Sequence, residues 1–350
     1  MRILILGNNY SGKAFLNYLK EDKENTVFSD SNEYDYKVNF SDFNDIAEFC
    51  EANEINIVIP TEEKYVSDVL EKKLNNLNTI YFAPNEEAFE ICRYKSLAKR
   101  FMYKNKIQTP KFFISEKLQT SYDYLKTAYY PIAIHPDKKS YVEGVKFAET
   151  LNQAQKYVNL LYDSGNRKIV FEDYIEGRNF IFWTISDGYS AKVIGICAKY
   201  EDSVSYFEPQ FLNEEIKKEV IENIINPTIL NLSLENTEYV GILGFDVIVN
   251  TDNTSYLMGY KGFFDDISVD FFLKGFDINW LDVFESCIKG DIFLKYDFKH
   301  DNEYMLTLRQ NDRIETISAN TKTNLERYIK ELDIDDTEYK EAKRIWKYLQ

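Results

Sequence analysis

The first sixty residues alternate between two hydrophobic periods, and this restricts the fold more than any other feature of the 350-residue chain. MRILIL (1–6), TVFSD (26–30) and INIVIP (55–60) are short apolar runs, whereas SGKAFLNYLKE (11–21) and FNDIAEFCEAN (43–53) space apolar residues three and four apart. Strand and helix therefore alternate as βαβαβ, which predicts a small parallel sheet covered by its crossover helices. A single core usually stops growing at about 250 to 300 residues, so more than one domain is expected.

Between the first strand and helix stands GNNYSGKA (7–14). Gly7, Gly12 and Lys13 fit G-x-x-x-x-G-K-[ST] up to its last position, where Ala14 replaces the hydroxyl that would hold Mg²⁺. The G-x-G-x-x-G dinucleotide turn is also half matched, with Asn9 at the middle glycine. Each phosphate-binding motif is one residue short.

A net charge of -16 excludes a basic stripe for nucleic acid, and an acidic soluble partner or a small molecule fits better. Cys50, Cys92, Cys197 and Cys287 are scattered without a C-x-x-C pair, so neither a disulfide framework nor a zinc site is signalled. Met1 runs directly into a strand, and no stretch of about 18 apolar residues occurs. A cytoplasmic protein, away from membranes, is expected. With only His135 and His300 available, Ser/His/Asp or Cys/His catalysis is not expected.

Further along, NEEAFEICR (85–93) and YKSLAKRFMYKNK (94–106) read as helices, with Lys95 and Lys99 on one face and Lys99 solvated. KFFI, YPIAIHP, VKFAE and KIVFEDY, with helices at TSYDYLKTA and LNQAQKYVNLLYDS, form an α+β unit. Long strands follow at NFIFWTISDG, YSAKVIGICAKYE, GILGFDVIVN and TSYLMGYKG, and a long helix at 214–234 should kink or end at Pro227. EYMLTLRQN and RIETISA read as a hairpin, and TEYKEAKRIWKYL as a last helix. Thr61 with Glu62 and Glu63 reads as a helix N-cap followed by acids in the first turn.

Four stretches taken together resemble the ATP-grasp ligases, most closely phosphoribosylamine–glycine ligase of purine biosynthesis. They are FAPNEEAFEICRYKSLAKRFMYKNKIQTPKF, PIAIHPDKKSYVEGV, KIVFEDYIEGRNF and GILGFDVIVNTDNTSYLMGYKGFFDD. The resemblance implies an α/β and α+β architecture: a Rossmann-like domain without a P-loop over 1–93, and an ATP-grasp domain over 94–290. The latter would include a small α+β subdomain at about 111–175, and a reduced C-terminal cap would occupy 291–350.

The resemblance also assigns sites. Lys95 falls on a lysine that touches ATP phosphate, and His135 stands where a second phosphate lysine is found. Of the glycine-rich flap Gly144 remains, with Lys138 and Lys139 supplying charge. Glu172, Tyr174 and Ile175 would line the adenine pocket, and Asn179 takes the place of a ribose-binding glutamate. Asp246 and Asp265 fall on acidic metal-site positions. Met258 replaces the metal-binding glutamate, Tyr260 the asparagine and Gly262 an arginine. The loop that closes over glycine corresponds to SVSYFEPQFLNEE, which holds no glycine. In the family Thr61–Glu63 would lie near phosphoribosylamine.

ATP is the expected cofactor, with Mg²⁺ held weakly. The leading expectation is a non-catalytic protein that binds a nucleotide or metabolite. One alternative is an active carboxylate–amine ligase with metal held by Asp246, Asp265 or Asp266. The other is a structural protein with a protein partner, its adenine pocket filled by Tyr260 or Phe264. His135 is expected to end a strand rather than to titrate in catalysis.

Overall fold

The computed structural model describes residues 1–30, 38–138, 144–200, 204–207, 212–296, 298, 304–310, 313–321, 323–324 and 327. Lys139 and the helix read at 337–349 lie outside these residues, as does part of the loop 203–215.

Strands β1 (Arg2–Leu6), β2 (Thr26–Ser29), β3 (Ile57–Pro60) and β4 (Ile80–Tyr81) form the expected parallel sheet in the order β2-β1-β3-β4. Its helices are α1 (Tyr10–Glu21), α2 (Phe43–Ala52) and α3 (Asp68–Asn75). Alternation along the strands sorts the two faces. Leu4, Leu6 and Val58 pack under α2 and α3 with Ile46, Phe49, Leu70 and Leu74. Ile3, Ile5, Ile57 and Ile59 face the rest of the molecule, in a core shared with Phe15, Trp183 and Trp280.

The turn after β1 is packed shut. Gly7 N–H donates to Asp30 Oδ1 at 2.9 Å, Asn8 N–H to Glu62 Oε1 at 2.7 Å, and Gly12 N–H to Asn9 Oδ1 at 2.8 Å. A Cβ on Gly7, whose φ is +143°, would meet Thr61 Oγ1 at 2.0 Å. Side-chain oxygens already occupy the donors a phosphate would use, so GNNYSGKA is not a phosphate loop in this conformation. Thr61 is not an N-cap either. Its hydroxyl donates to Asn9 Oδ1 at 3.1 Å, and the short 3₁₀ turn Glu63–Tyr65 starts without a side-chain cap.

Helices α4 (Glu86–Arg93) and α5 (Lys95–Lys104) lead to a second sheet of β5 (Phe112–Ser115), β6 (Ile132–Pro136), β7 (Lys146–Ala148) and β8 (Ile169–Asp173), ordered β5-β8-β6-β7. One face is covered by α6 (Leu118–Leu125) and α7 (Leu151–Asp163) through Leu125, Tyr157, Val158 and Leu161.

A third sheet is ordered β13-β12-β9-β10-β11-β14-β15. It contains β9 (Gly177–Asp187), β10 (Ala191–Tyr200), β11 (Val204–Phe207), β12 (Val240–Asn250) and β13 (Ser255–Lys261). The predicted hairpin, β14 (Tyr304–Gln310) with β15 (Arg313–Ala319), joins this sheet through β11. Between β11 and β12 the chain stays helical through Pro227. A π segment, Ile221–Ile225, separates α8 (Glu214–Val220) from α9 (Asn226–Leu234), so the wider turn lies directly before Pro227, the residue that cannot donate to the helix. Finally α10 (Val269–Gly275), α11 (Trp280–Lys289) and α12 (Ile292–Lys295) follow β13, and Phe284 of α11 stacks on Phe82 at 4.0 Å.

Candidate nucleotide site

Four ionisable side chains meet between α5, β6 and β8. Ile132, Ile134, Ile169 and Phe171 enter the core beneath α6 and α7, so His135 and Glu172 take the opposite face of the small sheet. The end of β6 caps α5: Lys95 N–H donates to Asp137 O at 2.8 Å, and Ser96 N–H to Asp137 Oδ1 at 2.7 Å. One turn apart, Lys95 Nζ and Lys99 Nζ approach Glu172 Oε1 at 2.9 and 3.0 Å. His135 Nε2 lies 3.5 Å from Glu172 Oε2. Lys95 also donates to Met258 O at 2.8 Å, and Lys99 to Thr109 Oγ1 at 2.6 Å. The Lys95 bond, with a further one from Lys99 to Leu257 O at 3.4 Å, pins α5 to the edge strand β13.

Burial lowers the Lys99 ammonium to about 7, and neighbouring Lys95 adds to the effect; Glu172 offsets only part of it. Burial and Lys95 likewise push His135 down to about 4, so the imidazole is neutral at pH 7. For Glu172, burial by itself would raise the carboxyl, but Lys95, Lys99 and His135 outweigh it and hold it well below the carboxylate range. Although the charges are close, neither Glu172 oxygen has a well-directed hydrogen bond. Charge proximity holds the cluster together, with acceptor capacity left over.

The expectation that Lys99 is solvated is overturned, since Lys99 is 0% exposed. Sequence reading missed its role because Lys95 and Lys99 at i, i+4 look like one polar face. The available signal was Met102, three residues on, which is buried beside it. Tyr174 is 43% exposed and meets the still more exposed Phe147 edge-on at 5.5 Å. Phe147 and Glu172 both oppose Ala133 in the small sheet, which puts them in one row on the polar face. Ile175 is half-buried and Asn179 exposed.

The strands expected to hold metal depart from the predicted register. Asp246 pairs with Gly259 but Val247 pairs with Leu257, so Met258 is the extra residue of a bulge. Alternation therefore breaks, and Met258 and Tyr260 do not share a face as simple strand spacing predicts. Tyr260 is core: it meets Phe245 and Phe101 edge-on at 5.5 and 6.4 Å, and its hydroxyl lies 3.2 Å from Thr228 Oγ1. Phe264 stacks on Phe272 at 4.4 Å, so neither ring is available to fill an adenine pocket. A Cβ on Gly262 would lie 1.9 Å from Phe89, so that ring excludes the arginine that the family carries there.

Asp246 is half-buried and has no ion pair among the described residues. Asp265 is paired with Lys199, and Lys261 lies 3.8 Å from the same oxygen. Burial alone would raise the Asp265 carboxyl, but the two lysines hold it below its ordinary value. Among the described residues no group of three or more His, Cys, Asp or Glu side chains could hold a metal ion. Two divalent ions beside phosphates would need several carboxylate oxygens, and these residues do not fit them. A cavity of about 750 Å³ lies elsewhere, between β10 and α8. The candidate cluster stands out by its buried charges rather than by cavity size.

Residues 93–269, 177 of the 350, match the family described as phosphoribosylglycinamide synthetase, ATP-grasp (A) domain. The chain belongs to this family. It is 24% identical over 290 residues to phosphoribosylamine–glycine ligase of Clostridium acetobutylicum, covering 72% of this chain and 69% of that protein. The crystal structure of phosphoribosylamine–glycine ligase from Thermotoga maritima superposes with a TM-score of 0.69 at 16% identity, over 88% of this chain and 80% of that one. The ADP complex of N5-carboxyaminoimidazole ribonucleotide synthetase gives 0.71 at 12% identity, over 99% and 97%. At such identities the structures establish the ATP-grasp fold. Among the described residues no helix of this ATP-grasp protein is long and apolar enough to cross a membrane.

Proposed function

We propose that this chain is an ATP-grasp protein that binds a nucleotide without the ligase reaction of its relatives. One observation carries the reading: the two β13 positions at which the family offers metal oxygens are filled by a thioether and by a buried phenol, Met258 and Tyr260. Phosphoryl transfer depends on neutralising the moving phosphoryl group, and those oxygens hold the ions that do so. Nucleotide binding is supported by the Lys95–Glu172–His135 cluster and by the exposed Phe147–Tyr174 pair beside it. Lys95 would meet a phosphate, Glu172, Tyr174 and Ile175 the base, and Asn179 the ribose.

Isothermal titration with ATP, alongside an assay for ADP released with glycine and phosphoribosylamine, tests the reading. Binding without turnover is expected, and sustained ADP release dependent on both substrates would overturn it. An active ligase with rearranged ligands is favoured by one feature only, the half-buried Asp246 without an ion pair among the described residues.

A further inference from the structure

The third sheet changes character along one face. Directly opposed residues of antiparallel strands share a face, so Ile181, Trp183 and Ile185 of β9 lie on the side covered by Phe264, α10 and α11. Continuing on that side, Asn179 opposes Lys199, Asp246 opposes Ile181 and Gly259, and Lys261 opposes Gly244. Where the apolar cover ends, two lysines, an amide and a carboxylate share a surface. β13, which carries Lys261, is also the strand whose Leu257 and Met258 carbonyls receive Lys99 and Lys95.

Asp265 gathers the two lysines. Both approach the single oxygen Oδ2, while Oδ1 is buried without a hydrogen-bond partner among the described residues. Ser268 Oγ is near the carboxylate but out of hydrogen-bonding geometry, and it too is buried and unpartnered. Lysine side chains are flexible point charges that exchange one oxyanion for another at little cost. One carboxylate shared by two ammonium groups is the arrangement a phosphate oxygen would take over.

We propose that Lys199 and Lys261, held ready by Asp265, supply the counter-charge for the terminal phosphates of a bound nucleotide in place of a divalent cation. The inference rests on the nucleotide reading above and deepens it. Asp265 acts as an internal competitor of the phosphate rather than as a metal ligand, and this assignment fixes the sign of its substitution. Removing its charge tightens metal-free binding, whereas removing a metal ligand weakens binding.

The test is titration of the full chain with ATP and with AMP, in EDTA and in Mg²⁺, with thermal melts to verify that each variant is folded. ATP is expected to bind in EDTA at least as tightly as in Mg²⁺. Asp265→Asn should tighten it several-fold, and Lys199→Met and Lys261→Met should each weaken it by about tenfold, the scale of one charge-assisted contact. AMP, which lacks the outer phosphates, should respond to none of the three. ATP binding that requires Mg²⁺, or that weakens in Asp265→Asn, overturns the inference and leaves nucleotide binding standing. So does ATP binding indifferent to both lysine variants, which cover the case in which Asp265→Asn does not fold. Failure of both ATP and AMP to bind under either condition removes the nucleotide reading itself, and the inference with it.

Discussion

Asp246 on β12 lies directly across the strand pair from Gly259 on β13, and a Cβ built on Gly259 would meet nothing within 4 Å. Opposed residues on antiparallel strands have their Cβ atoms about 4.5 to 5.5 Å apart. Gly259→Glu should therefore place a second carboxylate beside Asp246. Without metal the pair should cost roughly 0.2 to 1 kcal/mol through repulsion. Millimolar Mn²⁺ should raise the melting temperature of the variant while leaving the parent unchanged, and a melt indifferent to the ion would show that the two positions do not converge.

Substitution at Tyr260 should act on stability rather than on metal binding. Tyr260→Asn empties a site lined by Phe101 and Phe245, and large-to-small changes of this kind cost about 3 to 5 kcal/mol. Met258→Glu, at the half-buried bulge, should cost far less. Urea denaturation of the two single variants separates them, and equal losses would contradict the bulge.

Nucleotide affinity should fall when Lys95 is truncated. Its ammonium is at the partly open edge of the cluster, 17% exposed, whereas Lys99 is enclosed. A lost contact to a charged group is worth about 1.5 to 3 kcal/mol, so Lys95→Ala should weaken ATP about tenfold or more. Titration giving an unchanged affinity would remove Lys95 from the site.

Stability should rise with pH across two windows. His135 is lowered in the folded chain from 6.5 to about 4, and Lys99 from 10.5 to about 7. Between its folded and unfolded values each group binds more protons in the unfolded chain, so stability increases with pH there. The His135 window is about pH 4 to 6.5. The Lys99 window opens near pH 7 and is best read up to about 8.5, since above pH 9 the thiols of Cys50 and Cys92, raised by burial, ionise first in the unfolded state and act in the opposite sense. Chemical denaturation at stepped pH should show both rises, the lower one absent in His135→Gln and the upper one absent in Lys99→Met.

The early alternation of strand and helix was legible because local period follows from which face is buried: Leu4 and Leu6 go to one side, Ile3 and Ile5 to the other. Glu172 and Lys95 were singled out by resemblance as candidate site residues, and the structure brings them into contact. Lys99 was not, since its charged partner is on β8 and the helix that carries it offers only Met102 as a hint that this face is buried. Thr61 shows the same limit, because its hydroxyl is used by a turn more than fifty residues upstream. The bulge at Met258 was illegible for a different reason. A one-residue slip changes which face every later side chain takes, yet alters no local composition.

The shared core has a cost in time. The inner face of the parallel sheet is complete at Tyr81, but the helix that brings Trp280 and Phe284 against it is synthesised about 200 residues later, which at roughly 5 to 20 residues per second is about 10 to 40 s. Throughout that interval Ile3, Ile5, Ile57, Ile59 and Phe82 lack the part of their native cover that α11 supplies, although Phe15, Leu16 and Leu19 of α1 are already present. The nascent chain thus presents a half-covered apolar sheet face beside the ribosome, and its yield in the cell should depend on holdase chaperones more than the stability of the finished fold alone implies.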